Sequence, residues 1–326
     1  MDVLSDVLAA MRAGQPYAGR STCRAPWGVR FAASDAACCH IVLQGGCTLI
    51  PATGPPTALG VGDILFTGPR HAHTLADQPG SPAIDFQPNK ADGYSVIELD
   101  IPGVGAATEM LCVCYTFDLV RPHPLLDTLP PEIHLPARVG DHTALRATVD
   151  MLGTELHQPR SGTDAILPAL IDMLLLHVLR TWLDEHADHT DIGWATALTD
   201  PAIATALHHI HRQPENPWTV EGLATRAGIS RATFAKRFTT AVGQPPLTYL
   251  TWWRMTTAAR LLRRSDTPIQ TIAHRCGYSS EYAFSKAFKR EFGRPPNHYR
   301  HERPPAAVQT ETLSHVAGRS EHRPGG

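Results

Sequence analysis

The stretch "IAHRCGYSSEYAFSKAFKREFGRPPNHYR", residues 272–300, decides how the chain is read. A looser copy lies upstream, "LATRAGISRATFAKRFTTAVGQPPLTYL", residues 223–250. Ala224 and Gly228 recur as Ala273 and Gly277, 49 residues on. Phe234, Phe238, Gly243, Pro245, Pro246 and Tyr249 recur as Phe284, Phe288, Gly293, Pro295, Pro296 and Tyr299, 50 residues on. The shift of one is an extra residue in the second turn, "GYSSEYAF" against "GISRATF". A repeat of this kind marks one structural unit used twice.

Each unit reads as helix, tight turn, helix. Val220, Leu223, Ala224 and Ala227 have helical spacing, and Gly228 stands where a helix ends in the left-handed conformation that glycine reaches cheaply. Ser230 then caps the next helix by accepting from its free N–H groups. Ile272, Ala273, Cys276, Gly277 and Ser279, or Ser280 beside it, take the same parts in the second copy. Two helices joined by a short glycine-containing turn form a helix-turn-helix.

The second helix of each pair is expected to read DNA. Phe234, Phe238 and Val242 recur every four residues and face a core. The opposite face carries Ala232, Thr233, Lys236 and Thr240, with Arg231 and Arg237 on its flanks. In the second copy Phe284, Phe288 and Phe292 face inward. Tyr282, Lys286, Lys289 and Arg290 face out, with Ser280, Glu281 and Ser285 beside them. Such faces offer side chains to base edges and cations to phosphates.

The charge distribution agrees. The whole chain has a formal net charge of −2, yet residues 1–200 sum to −12 and residues 201–300 to +10. A basic half joined to an acidic half points to an anionic partner for the basic half alone. Between the units, "PPLTYLTWWRMTTAARLLRRSD" has helical spacing. Some 18 helical residues span about 27 Å. That approaches the ~34 Å between successive major-groove faces of B-DNA.

Residues 201–300 resemble the DNA-binding domain of AraC/XylS-type transcriptional regulators. The resemblance rests on "LATRAGISRATFAKRF", on the opening stretch, and on the repeated G-x-P-P…Y ending. It implies sequence-specific binding to double-stranded promoter DNA, contact with RNA polymerase, and most often activation of transcription.

The acidic half alternates β-rich runs with turns over residues 27–117 ("WGVRF", "CHIVLQGGCTLI", "TALGVGDILFTG", "SVIELDI", "LCVCYTFDL"), as in an antiparallel sandwich or barrel. "LGVGDILFTGPRHAHTL" resembles the second motif of the cupin barrel, with His73 at the histidine position and the usual proline displaced from Gly68 to Pro69. The first cupin motif, His-x-His followed by glutamate, is missing, and only His40 remains of it. A cupin oxygenase needs three or four His/Glu ligands. His40, His73 and His71 are the visible candidates, which disfavours an enzyme. A cupin metalloenzyme with an accessory DNA-binding domain stays as the alternative. The fold class expected is thus α+β and multidomain: an N-terminal cupin-like β-barrel with helices and a C-terminal all-α double helix-turn-helix.

The N-terminal half also resembles the cupin-type sensor domain of an AraC subgroup that includes the reactive-chlorine-responsive activator. "MDVLSDVLAAMR", Cys23 before Trp27, His40 opening an H-x-V-L strand, and "LCVCYTFD" carry the likeness. It implies a pair of sensor cysteines at Cys23 and Cys112, with Cys114 as the other register for the second. Val113 stands where the subgroup has glycine. Thiols and an imidazole together admit three readings. They bind zinc through Cys23, His40, Cys112 and His73 or water. They form a low-pKa thiolate beside a cation, which oxidises to a disulfide. Or they are small buried hydrophobes. A pocket for an organic effector is a fourth possibility for the domain.

The expected organisation is a sensor domain over residues 1–140, a helical packing or dimerisation segment over 141–188, and a linker over 189–200. A DNA-binding domain over 201–300 and a disordered tail over 301–326 follow. "DAILPALIDMLLLHVLRTWLDEH" is apolar nearly all round, so it must bury against the barrel or a partner chain, and a homodimer is the expected assembly. No apolar run reaches the ~18 residues of a membrane span and no signal peptide opens the chain. The cytoplasm is therefore the expected compartment, where the seven cysteines should be mostly reduced.

Overall fold

The computed structural model describes residues 2–12, 16–87, 99–117, 121–138, 142–186 and 193–301. The acidic half runs α1 (Val3–Met11), β1 (Tyr17–Arg24), β2 (Gly28–Phe31), β3 (Ala36–Gln44), β4 (Cys47–Pro51), β5 (Thr57–Leu59), β6 (Ile64–Thr67) and β7 (His73–Ala76). It continues through β8 (Ile84–Asp85), β9 (Leu99–Ile101), β10 (Ala107–Thr116), α2 (Pro124–Thr128), β11 (Glu132–Leu135), α3 (Thr143–His157) and α4 (Thr163–His186). Two sheets face each other, one ordered β11-β6-β3-β10-β1-β9 and the other β5-β4-β7-β2-β8. Most of the run "SVIELDI" lies outside the described residues, and Leu99–Ile101 is its strand.

Period-two alternation sorts the large sheet's side chains onto two faces. Ala37, Cys39 and Ile41 of β3, with Leu111, Val113 and Tyr115 of β10, join the core that includes Leu152 of α3 and Leu174 of α4. Cys38, His40 and Val42, with Met110, Cys112 and Cys114, have the opposite parity and look into the barrel. There Val42 and Met110 meet Trp27, Val29, Leu49 and Leu75 of the small sheet's side.

By length and composition α4 could cross a membrane, contrary to the expectation that no segment is long and apolar enough. Here it packs on α3, β1 and β11. Pro168 lies in its second turn.

The basic half runs α5 (Trp194–Thr199), α6 (Pro201–Arg212), α7 (Val220–Arg226), α8 (Arg231–Val242), α9 (Pro246–Arg264), α10 (Ile269–Arg275), α11 (Glu281–Phe292) and α12 (Pro296–His301). Residues 194–199, expected in a linker, are instead a helix whose Trp194 and Ala197 are buried against the first unit. Asp200 ends it and caps α6, accepting from the Ala202 and Ile203 amides. The C-terminal tail from residue 302 on lies outside the described residues.

The repeat folds twice in the same way. Gly228 and Gly277 take φ of +71° and +75° in the two turns, and Gly243 and Gly293 close the two second helices at +82° and +74°. Phe234, Phe238, Phe284 and Phe288 are fully buried. The connecting α9 has 19 residues, a length of about 28 Å at 1.5 Å per residue.

Candidate nucleic-acid interface and sensor barrel

Ser230 caps α8, accepting from the Thr233 amide at 3.2 Å. In the second unit the cap is Ser280, which accepts from the Ala283 amide at 3.2 Å. Of the two serines the sequence offered for that part, Ser279 is not the cap: the extra turn residue moves the helix start one place on, so Ser280 is the last extended residue.

The expected reading faces are open to solvent. Arg231, Ala232, Thr233, Lys236, Arg237 and Thr240 of the first unit are exposed, as are Ser280, Glu281, Tyr282, Lys286, Lys289 and Arg290 of the second; Ser285 is half-buried. Tyr282 is a large aromatic ring that is 80% exposed. Two of the cations already have carboxylate partners: Arg237 pairs with Asp200, and Arg290 reaches Glu291 at 3.0 Å. The guanidinium groups are open to solvent, 45% and 69% exposed, while Asp200 and Glu291 are only 9% and 22% exposed.

In the barrel, β3 and β10 set Cys38 opposite Cys114 and His40 opposite Cys112. Cys38 and Cys114 are joined as a disulfide, whereas the sequence led us to expect reduced thiols. His40 Nδ1 lies 3.3 Å from Cys112 Sγ, and His40 Nε2 lies 3.0 Å from His73 Nε2 across the barrel. Phe31 stacks on His73 with ring centroids 4.8 Å apart.

Cys23 does not join this group as a disulfide partner. It lies opposite Thr108, while Cys112 lies opposite Gly19, a slip of four residues. At ~3.4 Å per residue that is about 14 Å along the strand. A disulfide needs Cα atoms roughly 4.4–6.8 Å apart. Neither Cys23 nor Cys112 is placed to be a low-pKa thiolate. Burial pushes Cys23 up to about 12 and Cys112 up to about 11. Burial, then His73, holds His40 well below its usual value, so it is neutral at pH 7 and supplies no cation.

The donor set does not fit zinc. His73 and Cys112 contact opposite nitrogens of one His40 ring, so the three cannot converge on one ion. Among the described residues no group of three or more His, Cys, Asp or Glu side chains is placed to hold a metal. His71 is exposed and bonded to the Pro69 carbonyl through Nδ1, turned to its own loop.

The two halves also meet through groups the sequence did not single out. The His123 Nδ1 accepts from the Leu125 amide at 3.0 Å, which leaves Nε2–H to donate to the Tyr249 hydroxyl at 3.1 Å. Tyr249 in turn donates to His211 Nε2 at 2.7 Å, and His211 stacks on Trp253. Asp6 of α1 lies 3.6 Å from His211 Nδ1. The second reading helix is held directly, through Glu291 and Arg121 at 3.1 Å. Partners 126 and 170 positions apart leave no periodic trace in a sequence.

Comparison with known proteins gives the same division. A cupin domain family matches residues 2–184, and a helix-turn-helix domain family matches residues 223–302. The cupin match takes in α3 and all but the end of α4. A chain of Streptomyces lividans named as an AraC-like transcription regulator is 37% identical over 92% of this chain and 98% of its own length. The RCS-specific HTH-type transcriptional activator RclR of Escherichia coli is 32% identical over 80% of this chain and 83% of its own. Among solved structures, the DNA-binding domain of AdpA in complex with a target DNA is 38% identical over 31% of this chain and 90% of its own, with a TM-score of 0.29.

Proposed function

Because the chain belongs to the AraC-type transcriptional regulators with an N-terminal cupin domain, we propose that it is an activator whose DNA affinity follows the thiol state of its barrel. The observation that carries this reading is the strip on β3 and β10, with Cys38 opposite Cys114 and His40 opposite Cys112. Cytosolic disulfides are usually transient and redox-sensing. A two-electron oxidant of the peroxide or hypohalous class takes two electrons and two protons from the Cys38 and Cys114 thiols and leaves the S–S bond. The likeness to an RCS-specific activator supports this signal class. We read the barrel as a sensor and not as an enzyme, and the chain as cytoplasmic, where its DNA is.

On the DNA side, α8 and α11 lie in successive turns of the major groove. Lys286, Lys289 and Arg231 contact phosphates, while Thr233, Tyr282 and Ser285 reach base edges. Recruitment of RNA polymerase rests on the family alone. The homodimer rests on the outer face of α3 and α4, where Met151, Ile166 and Met173 are exposed.

Selection of bound duplexes from a random pool with the full-length protein tests both halves. Two conserved blocks spaced by about one helical turn, ~10 bp, are expected. Affinity for the selected site should differ between thiol-reduced and peroxide-treated wild type, and not in Cys38→Ser. Lys286→Ala should lower the salt slope of binding by about 1. A wild type with one affinity in both redox states would overturn the sensor reading and leave the DNA reading standing.

A further inference from the structure

The hydrophobic core of the basic half divides inside α9. Trp252 and Trp253 belong to the core that holds Phe234 and Phe238 of the first unit. Met255 and Ala258 belong to a separate core with Ile272, Phe284 and Phe288 of the second unit. Between Trp253 and Met255 stands Arg254.

Arg254 bridges the divide. Its Nε donates to the Pro214 carbonyl at 2.7 Å and its Nη2 to the Asn216 carbonyl at 2.8 Å. Both acceptors lie in the loop between α6 and α7, and that loop is fixed to the first unit. The Trp218 indole donates to the Gln213 carbonyl at 2.9 Å, and its ring lies 5.3 Å from that of His209 on α6. The other side of the guanidinium faces Gly277, in the turn that leads into α11. A Cβ on Gly277 would stand 2.5 Å from Nη2 of Arg254 and 2.9 Å from the Pro214 carbonyl. Burial pulls the pKa of Arg254 down, while Tyr278 and Cys276 from that turn and Glu215 from the loop act the other way.

A helix-turn-helix does not itself require this closeness. Gly228 holds the same place in the first unit at nearly the same φ, and a Cβ there meets nothing within 4 Å. The crowding at Gly277 belongs to the joint between the units. The length of α9 sets how far apart the readers stand, whereas their mutual rotation depends on what else crosses the joint. Two charge-assisted bonds from one planar fork resist such rotation.

We propose that Arg254 is a positioning residue that fixes α11 relative to α8 and so sets the spacing of operator blocks the protein accepts. The inference rests on α8 and α11 reading successive turns of the groove. One added base pair moves the second block by about 3.4 Å and turns it by about 35°. Linked binding modules gain affinity only at separations their link can span, so a stiff joint is strict where a loose one is tolerant. The bonds of Arg254 go to the protein's own main chain, so it acts through geometry and not through a phosphate.

Fluorescence anisotropy titrations of the thiol-reduced, full-length protein at one ionic strength test this with duplexes built on the selected site. One set holds the two blocks at the selected spacing, or one base pair closer or farther apart. Another set has one block or the other scrambled. Wild type should bind the selected spacing at least tenfold more tightly than either shifted one. In Arg254→Met that ratio should fall to threefold or less, with affinity for the one-block duplexes within twofold of wild type. A merely structural loss would weaken every duplex alike and keep the wild-type ratio. Arg254→Lys offers a point charge where the guanidinium spans two carbonyls. It carries the test if Arg254→Met does not melt cooperatively, and its ratio should fall at least threefold. Glu291→Gln, which loosens the second unit from the sensor, should stay as strict as wild type. A wild-type ratio in the folded Arg254 variant, or strictness lost in Glu291→Gln instead, would overturn the role of Arg254. So would a wild type that needs both blocks but is indifferent to their spacing. Scrambling one block without effect on wild type would sink the two-helix reading, and the inference with it.

Discussion

Glu291 is shared between Arg290 of its own helix, at 3.0 Å, and Arg121 of the sensor half, at 3.1 Å. The cation expected on a DNA phosphate and the cation that anchors the helix to the sensor therefore share one carboxylate, on Oε1 and Oε2 respectively. A change in the sensor that withdraws Arg121 also changes what holds Arg290.

Glu291→Gln tests this coupling. The side chain keeps its shape and loses its charge, and both groups are only about a fifth exposed. The tie lies between surface and buried ion pairs, so a loss of about 1–2 kcal/mol is expected. The DNA affinity of the variant should respond less to oxidant than that of the wild type. An undiminished redox response would remove Glu291 from the coupling.

The two turn glycines should differ in what they tolerate. Both have positive φ, so alanine at either costs about 1–2 kcal/mol of backbone strain. A Cβ at Gly228 meets nothing within 4 Å. A Cβ at Gly277 lands 2.5 Å from the Arg254 guanidinium and 2.9 Å from the Pro214 carbonyl. Arg254 is occupied there, donating to the Pro214 and Asn216 carbonyls at 2.7 and 2.8 Å. Gly277→Ala should lower the melting temperature clearly more than Gly228→Ala. Equal losses would mean that Arg254 moves aside freely.

The caps offer a finer contrast. Ser230→Ala and Ser280→Ala should each cost about 0.5–2 kcal/mol, because an orphan helix amide loses its acceptor. Ser279→Ala should lie within about 0.5 kcal/mol of wild type, as an exposed substitution away from any cap. Thermal melts of the three variants separate them.

Ser279 also marks the limit of what the residues alone disclose. Helix periodicity, turn glycines and the doubled phenylalanine pattern are local, so both helix-turn-helix units and their outward faces are legible. An insertion of one residue has no local signal that says which serine ends up extended. Cys38 is harder still. The register of β3 against β10 sets it opposite Cys114, and register depends on the whole barrel. Trp194 looked like linker because its burial comes from a partner helix distant in sequence, and Arg121 and His123 were unremarkable for the same reason.

The barrel histidines set a dependence on pH. His73 is pulled down to about 4 by burial, against an unfolded value near 6.5, and His40 moves the same way. Between those values the unfolded chain binds protons that the folded chain refuses. Stability therefore rises with pH through this window, and falls on acidification from 6.5 toward 4. One such proton contributes a slope of up to about 1.4 kcal/mol per pH unit. Other histidines and carboxylates titrate as well, so the test is a difference between proteins. His73→Asn removes the His40–His73 contact of 3.0 Å and, with it, one refused proton. Its stability deficit relative to wild type, measured by thermal melts at pH 7, 6, 5 and 4.5, should shrink steadily as the pH falls. A deficit that is the same at all four values would mean that His73 accepts a proton in the folded barrel as readily as in the unfolded chain.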